Sequence, residues 1–351
     1  MNKSMTSSKK PSLADVARLA HVAPSTVSLV LNGGSRVAEG TRDTVLKAVR
    51  KLKYERLRGG RPRGPQLKAG KTRQITLVFS LPNRLVLKSP VYSEVLHGVE
   101  SALAARRYSL VVRYRCEQEA VEGPLLLTKA DGVLLFGHLD ADLFQRELPG
   151  LPLVHFMGIA QNEGLYDHVS YNNARIGKLA AEYLLRRGHR RVAFVGHDEA
   201  KTTLQRGAAF LREMEAEGGS VLKLTDRQPL VISTAQRHAV DSAVMRRLVE
   251  QLCTSKPRPT AVFLAMDMLL PPFVSVLRER GPKAEKALEL IGCNNDRPYL
   301  AALHPRPATI DIHAEAVGRK AVEQLFWRMD HPQEPRVSVL LEPELLASGS
   351  E

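Results

Sequence analysis

From Gln74 onward the chain alternates short apolar runs with amphipathic stretches, and nothing else in the sequence constrains the fold as tightly. Apolar runs at 75–80, 109–114, 132–136, 153–157, 191–196, 260–265 and 289–292 predict strands. Amphipathic stretches at 92–106, 172–187, 204–217, 237–253 and 313–329 predict helices between many of them. Such alternation builds parallel sheets covered by helices. A region of this length is better split into two lobes than built as one. No apolar run approaches the ~18 residues of a membrane span.

The charge is unevenly placed. Residues 1–73 hold 17 Lys and Arg against Asp15, Glu39, Asp43 and Glu55, a net of +13. The rest of the chain carries 34 basic and 33 acidic residues, a net of +1. A cationic segment of this kind attracts a polyanion, most often the phosphate backbone of nucleic acid. A solvated basic tail is the plainer alternative.

The local pattern of the same segment is helical. Ser12 offers an N-cap, with Asp15 three residues on. Leu13, Val16, Ala17 and Ala20 form one apolar stripe. After a short connection, Pro24 suits the first turn of a second helix, because its missing N–H would have no partner there. Val27, Val30 and Leu31 face inward, and Asn32-Gly33-Gly34 stops that helix. A third helix is expected over 39–52, with Val45, Ala48, Val49 and Leu52 inside. Two short helices and a tight turn, buttressed by a third, make a helix-turn-helix whose second helix enters the major groove. That helix presents Pro24, Ser25, Ser28 and Leu29 outward, with Thr26 beside them. Ser25 and Thr26 can bond base edges or phosphates, whereas Leu29 offers only apolar contact, for instance to a thymine methyl. A three-helix bundle docking on protein is the competing reading.

The run LADVARLAHVAPSTVSLVLN over residues 13–32 resembles the headpiece of the lactose-repressor (LacI/GalR) family, and VAEGTR over 37–42 with Lys53-Tyr54 continues the likeness. The resemblance implies that Pro24, Ser25 and Leu29 read bases. It implies that Leu13, Thr26, Asn32, Arg36, Thr41 and Tyr54 fix the headpiece on phosphates or within its own core. The family usually carries an arginine where this chain has Leu29, so an atypical operator is expected. The fold implied is an all-α helix-turn-helix headpiece (1–58), a linker (59–73) and an α/β, periplasmic-binding-protein-like sensor domain with parallel sheets (74–351).

Residues 55–73 are rich in Arg, Gly and Pro. In the family this stretch contains a hinge helix that wedges a leucine into the minor groove. Counted back from the first sensor strand, Leu67 holds that place. Counted forward from Tyr54, the spacing is too long, and the glycines and prolines disfavour a helix. Arg61, within Gly60-Arg61-Pro62, could instead lie in a narrow A·T minor groove. A flexible charged spacer is equally compatible.

The likeness extends over the sensor region through SPVYSE at 89–94, GHRRVAFVG at 188–196, AVFLAMD at 261–267 and IGCNN at 291–295. It implies two lobes, 74–166 with 296–325 and 167–295 with 326–351, closing on a small-molecule effector, for example a sugar. Ligand positions carried over are Tyr92, Met157, Arg206, Met266 and Asn294. Arg206 would be the cationic anchor, and a surface arginine is the plainer reading. With Met157, Met266 and Ile312 in places where sugar-binding members often have polar groups, the cleft is more apolar than a sugar site. A rearranged ligand, a shifted binding mode and an effector-blind pocket all stay open.

Catalytic signatures are absent: there is no phosphate loop, zinc motif or nucleophile elbow. No cofactor or metal is implied, and the histidines are scattered. His189 reads as a cap in a helix-to-strand turn, and Trp327 as core. Cys116, Cys253 and Cys293 lack metal-type spacing and are expected as reduced, mostly buried thiols. Residues 1–10 show no apolar segment, so a cytoplasmic protein is expected. The implied partner is a pseudo-palindromic double-stranded operator bound by a homodimer. A solute-binding protein or α/β enzyme without specific DNA binding is the alternative.

Overall fold

The computed structural model describes residues 12–31, 38–52, 72–81, 89–116, 130–137, 148, 150–159, 165–196, 201–226, 228–233, 238–281 and 287–349. The chain divides into two compact units, Met1–Gln66 and Leu67–Glu351.

The smaller unit contains α1 (Leu13–Leu19), α2 (Pro24–Leu31) and α3 (Glu39–Lys51). Ser12 and Asp15 close a capping box: Asp15 N–H donates to Ser12 Oγ at 3.3 Å, and Ser12 N–H to Asp15 Oδ2 at 2.9 Å. The far end of α1 is a Schellman turn. His21 takes a left-handed φ of 52°, its N–H reaches Arg18 O at 3.3 Å, and Val22 N–H reaches Ala17 O at 3.1 Å. Glycine is the usual residue there, so this turn stores some strain. The turn aims α2 across α1, and Ala23 O receives Thr26 N–H and Val27 N–H. Val16, Ala17, Ala20, Val27, Val30, Val45 and Ala48 form the core, with Leu13, Val49 and Leu52 packed around it. The expected apolar stripes therefore meet.

The larger unit begins with β1 (Gln74–Leu81), α4 (Pro90–Ala105), β2 (Ser109–Cys116), β3 (Gly132–Gly137), β4 (Leu153–Phe156) and β5 (Asp167–Tyr171). There follow α5 (Asn173–Arg186), β6 (Arg191–Val195), α6 (Lys201–Ala216), β7 (Ser220–Leu224), the hairpin β8 (Val231–Ser233) with β9 (His238–Val240), and α7 (Ser242–Thr254). The last elements are β10 (Ala261–Leu264), α8 (Leu270–Glu279), β11 (Glu289–Ile291), α9 (Arg297–Leu300), β12 (Thr309–Asp311), α10 (Ala314–Asp330), β13 (Ser338–Leu341) and β14 (Glu344–Leu346). One parallel sheet runs β13-β5-β4-β3-β1-β2, and a second runs β11-β10-β6-β7. Helices α4 and α10 pack together on the first sheet, and α5 packs against α6 beside the second.

The crossing points differ from those the sequence led us to expect. Asp167–Tyr171 and Ser338–Leu341 belong to the larger sheet, as does α10 to its end, so the lobes meet at about 171, 312 and 342. The cause is a buried ion pair. Arg328, on α10, donates to Asp167 Oδ2 at 2.9 Å and Oδ1 at 2.8 Å, with side chains 2% and 0% exposed. Gln324 and the Val337 N–H add bonds to the same carboxylate, joining β5, α10 and the approach to β13. A charge so deeply buried must be paired, and here the pairing fixes which lobe owns three segments.

Other expectations also shift. The helix predicted from 237 starts at Ser242, because Asp241 accepts the N–H groups of Ala243 and Val244 and the preceding residues pair as β9. His189 is more than a cap: its ring bridges Thr260 Oγ1 at 2.9 Å and Glu289 Oε2 at 2.8 Å. Trp327 is half-buried and stacks on His331 at 4.9 Å instead of entering the core. Cys253 and Cys293 are free thiols, while the side chain of Cys116 lies outside the described residues.

Candidate nucleic-acid interface and ligand cleft

At the start of α2, Pro24 and Ser25 are exposed, and Thr26 is half-buried. Thr41 is half-buried in the first turn of α3, and Leu13 is tucked against the core. Pro24 has no N–H to leave unsatisfied, so the helix end can face a partner at little cost. The helix N-terminus also carries partial positive charge, which suits phosphate. Ser28 and Leu29 belong to α2, but their side chains lie outside the described residues, as do Asn32, Arg36, Tyr54, Arg61 and Leu67.

In the larger unit, side chains converge on the carboxyl ends of the strands, where open α/β sheets bind ligands. Arg206 of α6 is their hub. It is 2% exposed, and its Nε donates to Asn173 Oδ1 at 2.9 Å. Its Nη1 donates to Ala265 O at 2.6 Å and Asn294 Oδ1 at 3.2 Å. The guanidinium lies 5.3 Å from the centre of the Tyr171 ring. Gly177 makes this possible, because a Cβ there would stand 2.2 Å from Arg206 O and hold α6 away from α5. A surface arginine is thus excluded: Arg206 joins the ends of β5 and β10 and the residues just after β11.

The opposing lobe contributes aromatic faces. Tyr92 is half-buried and meets Phe136 edge-on at 5.1 Å, and Phe136 meets Phe156 at 5.9 Å. Burial pushes the Tyr92 phenol up, and the negative charges that Tyr171 and Asp296 carry when ionised push it further. Burial raises Tyr171 as well, against the pull of Arg206.

Two carboxyl groups brace this region. Asp267 is 0% exposed, accepts Asp296 N–H at 2.9 Å and receives the Thr309 hydroxyl at 2.9 Å. Burial raises it to about 7, and the charge of Asp296 adds to the rise. Burial likewise raises Asp296 to about 6, although bonds from the Asn294 side chain and the Val91 N–H oppose this. The Val91 bond matters because it ties Asp296 to the first turn of α4, across the lobes. Gly292 gives Asp267 its room, since a Cβ would stand 1.9 Å from Oδ1.

Of the ligand positions expected, Tyr92, Arg206 and Asn294 are linked to one neighbourhood through Tyr171 and Asp296. Met157 is 4% exposed in the main core, with a left-handed φ of 64° that ends β4 before the expected residue. Met266 packs half-buried on the second core. Tyr171, Asn173 and Asp296 escaped sequence reasoning. Their one legible signal was Asn172-Asn173 opening a helix.

A model of the bacterial regulatory proteins of the lacI family matches residues 12–56, and one of the periplasmic-binding-protein-like domain matches residues 181–350. The HTH-type transcriptional regulator GntR of Pseudomonas aeruginosa is 31% identical over 334 residues, spanning 93% of this chain and 91% of that protein. The chain belongs to the lacI family of bacterial regulatory proteins.

The HTH-type transcriptional regulator CelR of Thermobifida fusca is 28% identical over 351 residues, 97% of this chain and 98% of that one. A solved CelR–cellobiose complex is similar at a TM-score of 0.65 and 26% identity, covering 97% of this chain and all of that one (100%). The lac repressor dimer bound to operator and the anti-inducer ONPF shares the fold, with a TM-score of 0.62 at 19% identity over 97% of this chain and 99% of that chain. This lacI-family chain is accordingly a DNA-binding transcription regulator built from a headpiece and a sensor domain. Among its described residues, no His, Cys, Asp and Glu group is placed to hold a metal, and no helix is long and apolar enough to cross a membrane.

Proposed function

We propose that this protein is a homodimeric repressor that reads a pseudo-palindromic duplex through α2 and releases or tightens it according to a small molecule held between its two sheets. Pro24, Ser25, Ser28 and Leu29 contact base edges, while Thr26, Thr41 and Arg36 address phosphates. Arg61 and Leu67 serve the adjoining minor groove, and Leu13, Asn32 and Tyr54 keep the headpiece in shape. The carrying observation is the pairing of a fixed, exposed α2 start with a strongly basic segment and a nearly neutral sensor.

The effector is a sugar or related metabolite, as the cellobiose complex of CelR suggests by similarity. The aromatic faces of Tyr92 and Tyr171 suit the apolar side of a sugar ring, and Arg206 with Asn294 suits its hydroxyl groups. Three acceptors engage Arg206 through its Nε and Nη1, so its Nη2 is the donor left for a ligand. A ligand that touches both lobes there favours one lobe arrangement over the other. The protein acts in the cytoplasm and catalyses no reaction.

Selection from random duplexes tests the assignment. The full chain should enrich a two-fold symmetric sequence, and a chain lacking residues 1–60 should enrich none while still being stabilised by its sugar ligand. Specific DNA binding by the truncated chain would refute the headpiece assignment.

A further inference from the structure

Among the described residues of the sensor domain, two helix N-caps are left unmade by the side chains that stand there. Asp296 occupies the N-cap of α9, yet its carboxyl makes no cap bond to that helix. Ser89 occupies the N-cap of α4, on the other lobe, and its hydroxyl makes none either, although serine and aspartate are favoured caps. The Asp296 carboxyl instead accepts the Val91 N–H in the first turn of α4. The cap that α4 lacks locally therefore comes from across the cleft. Asp296 is 2% exposed and Val91 6%, so water has little access to either partner while the lobes stay together.

The second lobe holds this carboxyl in place. Asn294 and Asn295 take positive φ of 111° and 58°, which turns the chain sharply after β11. Neighbouring groups restrain that strained turn. Asn295 Nδ2 donates to Asp311 Oδ2 at 3.0 Å, Arg306 Nη2 donates to Asn295 Oδ1 at 2.8 Å, and Asp267 accepts the Asp296 N–H at 2.9 Å. Asn294 joins the two sides of the cleft. Its Oδ1 accepts from Arg206 Nη1 at 3.2 Å, and its Nδ2 donates to Asp296 Oδ2 at 3.4 Å. A continuous chain of hydrogen bonds thus runs from the effector anchor Arg206 through Asn294 and Asp296 to Val91 on the opposite lobe.

We propose that Asp296 is a positioning residue for the effector response: it latches the two lobes by capping α4 across the cleft, and it ties that latch to Arg206 through Asn294. The tie to Arg206 rests on the effector site assigned above, whereas the latch itself does not. The latch is linked to protons. Burial raises the Asp296 carboxyl to about 6, with Glu94 of α4 adding to the rise and Asn294, Arg206 and the Val91 N–H opposing it. Glu94 outweighs Val91, and α4 also covers the carboxyl, so moving α4 away lets Asp296 fall toward the ordinary 3.8. Burial pushes up Tyr92, Tyr171, Tyr299 and the Cys293 thiol around it, so these stay neutral between pH 5 and pH 8. Asp267, raised by burial to about 7, belongs to the same lobe as Asp296 and moves with it. Burial and the charge of Asp311 also raise Glu94, against Arg297. An effector that favours this lobe arrangement therefore binds more tightly at pH 5 than at pH 8 and takes up protons as it binds.

The test is amide hydrogen exchange on the effector-free full chain at pH 5 and pH 8. The Val91 N–H is resolved by fragmentation mass spectrometry and expressed as a protection factor, which removes the intrinsic effect of pH. Wild type, Asp296→Ala and Asp296→Asn run in parallel: alanine removes the acceptor, whereas asparagine keeps an acceptor that cannot titrate. Wild-type protection should be several-fold higher at pH 5 than at pH 8, with about tenfold the ceiling for a carboxyl that moves between 3.8 and about 6. Asp296→Ala should lose about tenfold at pH 5. Asp296→Asn should keep the protection and lose most of its pH dependence. Asp267 and Glu94 are present in all three proteins, so the difference reports Asp296. Undiminished protection in Asp296→Ala, a wild-type pH profile in Asp296→Asn, or a wild-type profile that is flat or falls toward pH 5 would each overturn the latch. If Asp296→Ala melts too low to assay, the profile of Asp296→Asn decides. No effector is added, so a negative result here leaves the effector site standing, and loss of that site leaves the latch.

Discussion

The headpiece and the sensor cleft solve recognition in opposite ways. In the headpiece the side chains offered to a partner, Pro24 and Ser25, are exposed and lie within one helix, while seven small apolar residues beneath them do the folding. In the cleft the central side chain is buried, and its partners come from segments far apart in sequence: Tyr171, Asn173, Ala265 and Asn294. A surface reader can change its side chains without disturbing its core. A buried hub cannot, because its partners all share one guanidinium. Specificity for DNA is therefore free to drift, whereas change in the cleft is coupled to stability.

The largest expected contrast is in salt. Operator affinity should fall at least about a thousandfold between 50 and 200 mM monovalent salt, as for a protein making six or more phosphate contacts. Effector affinity, measured by calorimetry over the same range, should hardly change. Similar salt slopes at the two sites would erase the electrostatic half of the comparison.

Next is Arg206→Ala. Leaving Asn173 and Asn294 without their donor and opening a void should cost about 3 kcal/mol in urea unfolding and abolish the effector response. Operator binding by the effector-free protein should persist. A stable variant with a normal response would show that the buried hub is neither structural nor functional.

The carboxyl pair gives a pH test of similar size. Asp267 and Asp296 are raised from an ordinary 3.8 to about 7 and about 6. An acid whose folded pKa exceeds its unfolded value favours folding while protonated. That contribution is complete below about pH 4 and lost as pH rises through about 6 to 7. Sensor stability should therefore decline from pH 5 to pH 8 by up to about 3 kcal/mol, and Asp296→Asn should flatten the decline. A headpiece melting followed separately should lack this slope.

Base preference comes next. Ser25→Ala, or Leu29→Arg, should change the ranking of operator variants by about 1–3 kcal/mol at single base pairs, read by anisotropy on a panel of duplexes. Uniform weakening on every duplex would move these side chains from base readout to backbone contact. Smallest is Ser12→Ala, which removes the α1 cap and should cost about 1 kcal/mol of headpiece stability without altering the preferred operator.

The two units also differ in how far their sequences can be read. In the headpiece a cap, two turns and three apolar stripes lie within forty or so residues of local pattern, and the stripe residues whose side chains are described, all but Leu31, lie in or against one core. Helical periodicity is a property of neighbours, so sequence order carries it. The alternation of strands and helices in the sensor was legible for the same reason, down to a parallel two-sheet fold. The short strands Asp167–Tyr171, Ser220–Leu224 and Ser338–Leu341 escaped because they are brief or mixed in polarity. A charged Asp167 in a strand core makes sense only once Arg328 is beside it.

By itself, then, the sequence determined the helical module, the charge that marks its partner and the class of fold behind it, because these rest on spacing and composition. Only the tertiary structure decided which lobe owns the strand beginning at Asp167, that Arg206 is a buried hub, and that Asp267 and Asp296 form a raised pair. Hydrogen bonds and desolvation depend on what is close in space, and residues separated by more than a hundred positions become neighbours only when the chain has folded.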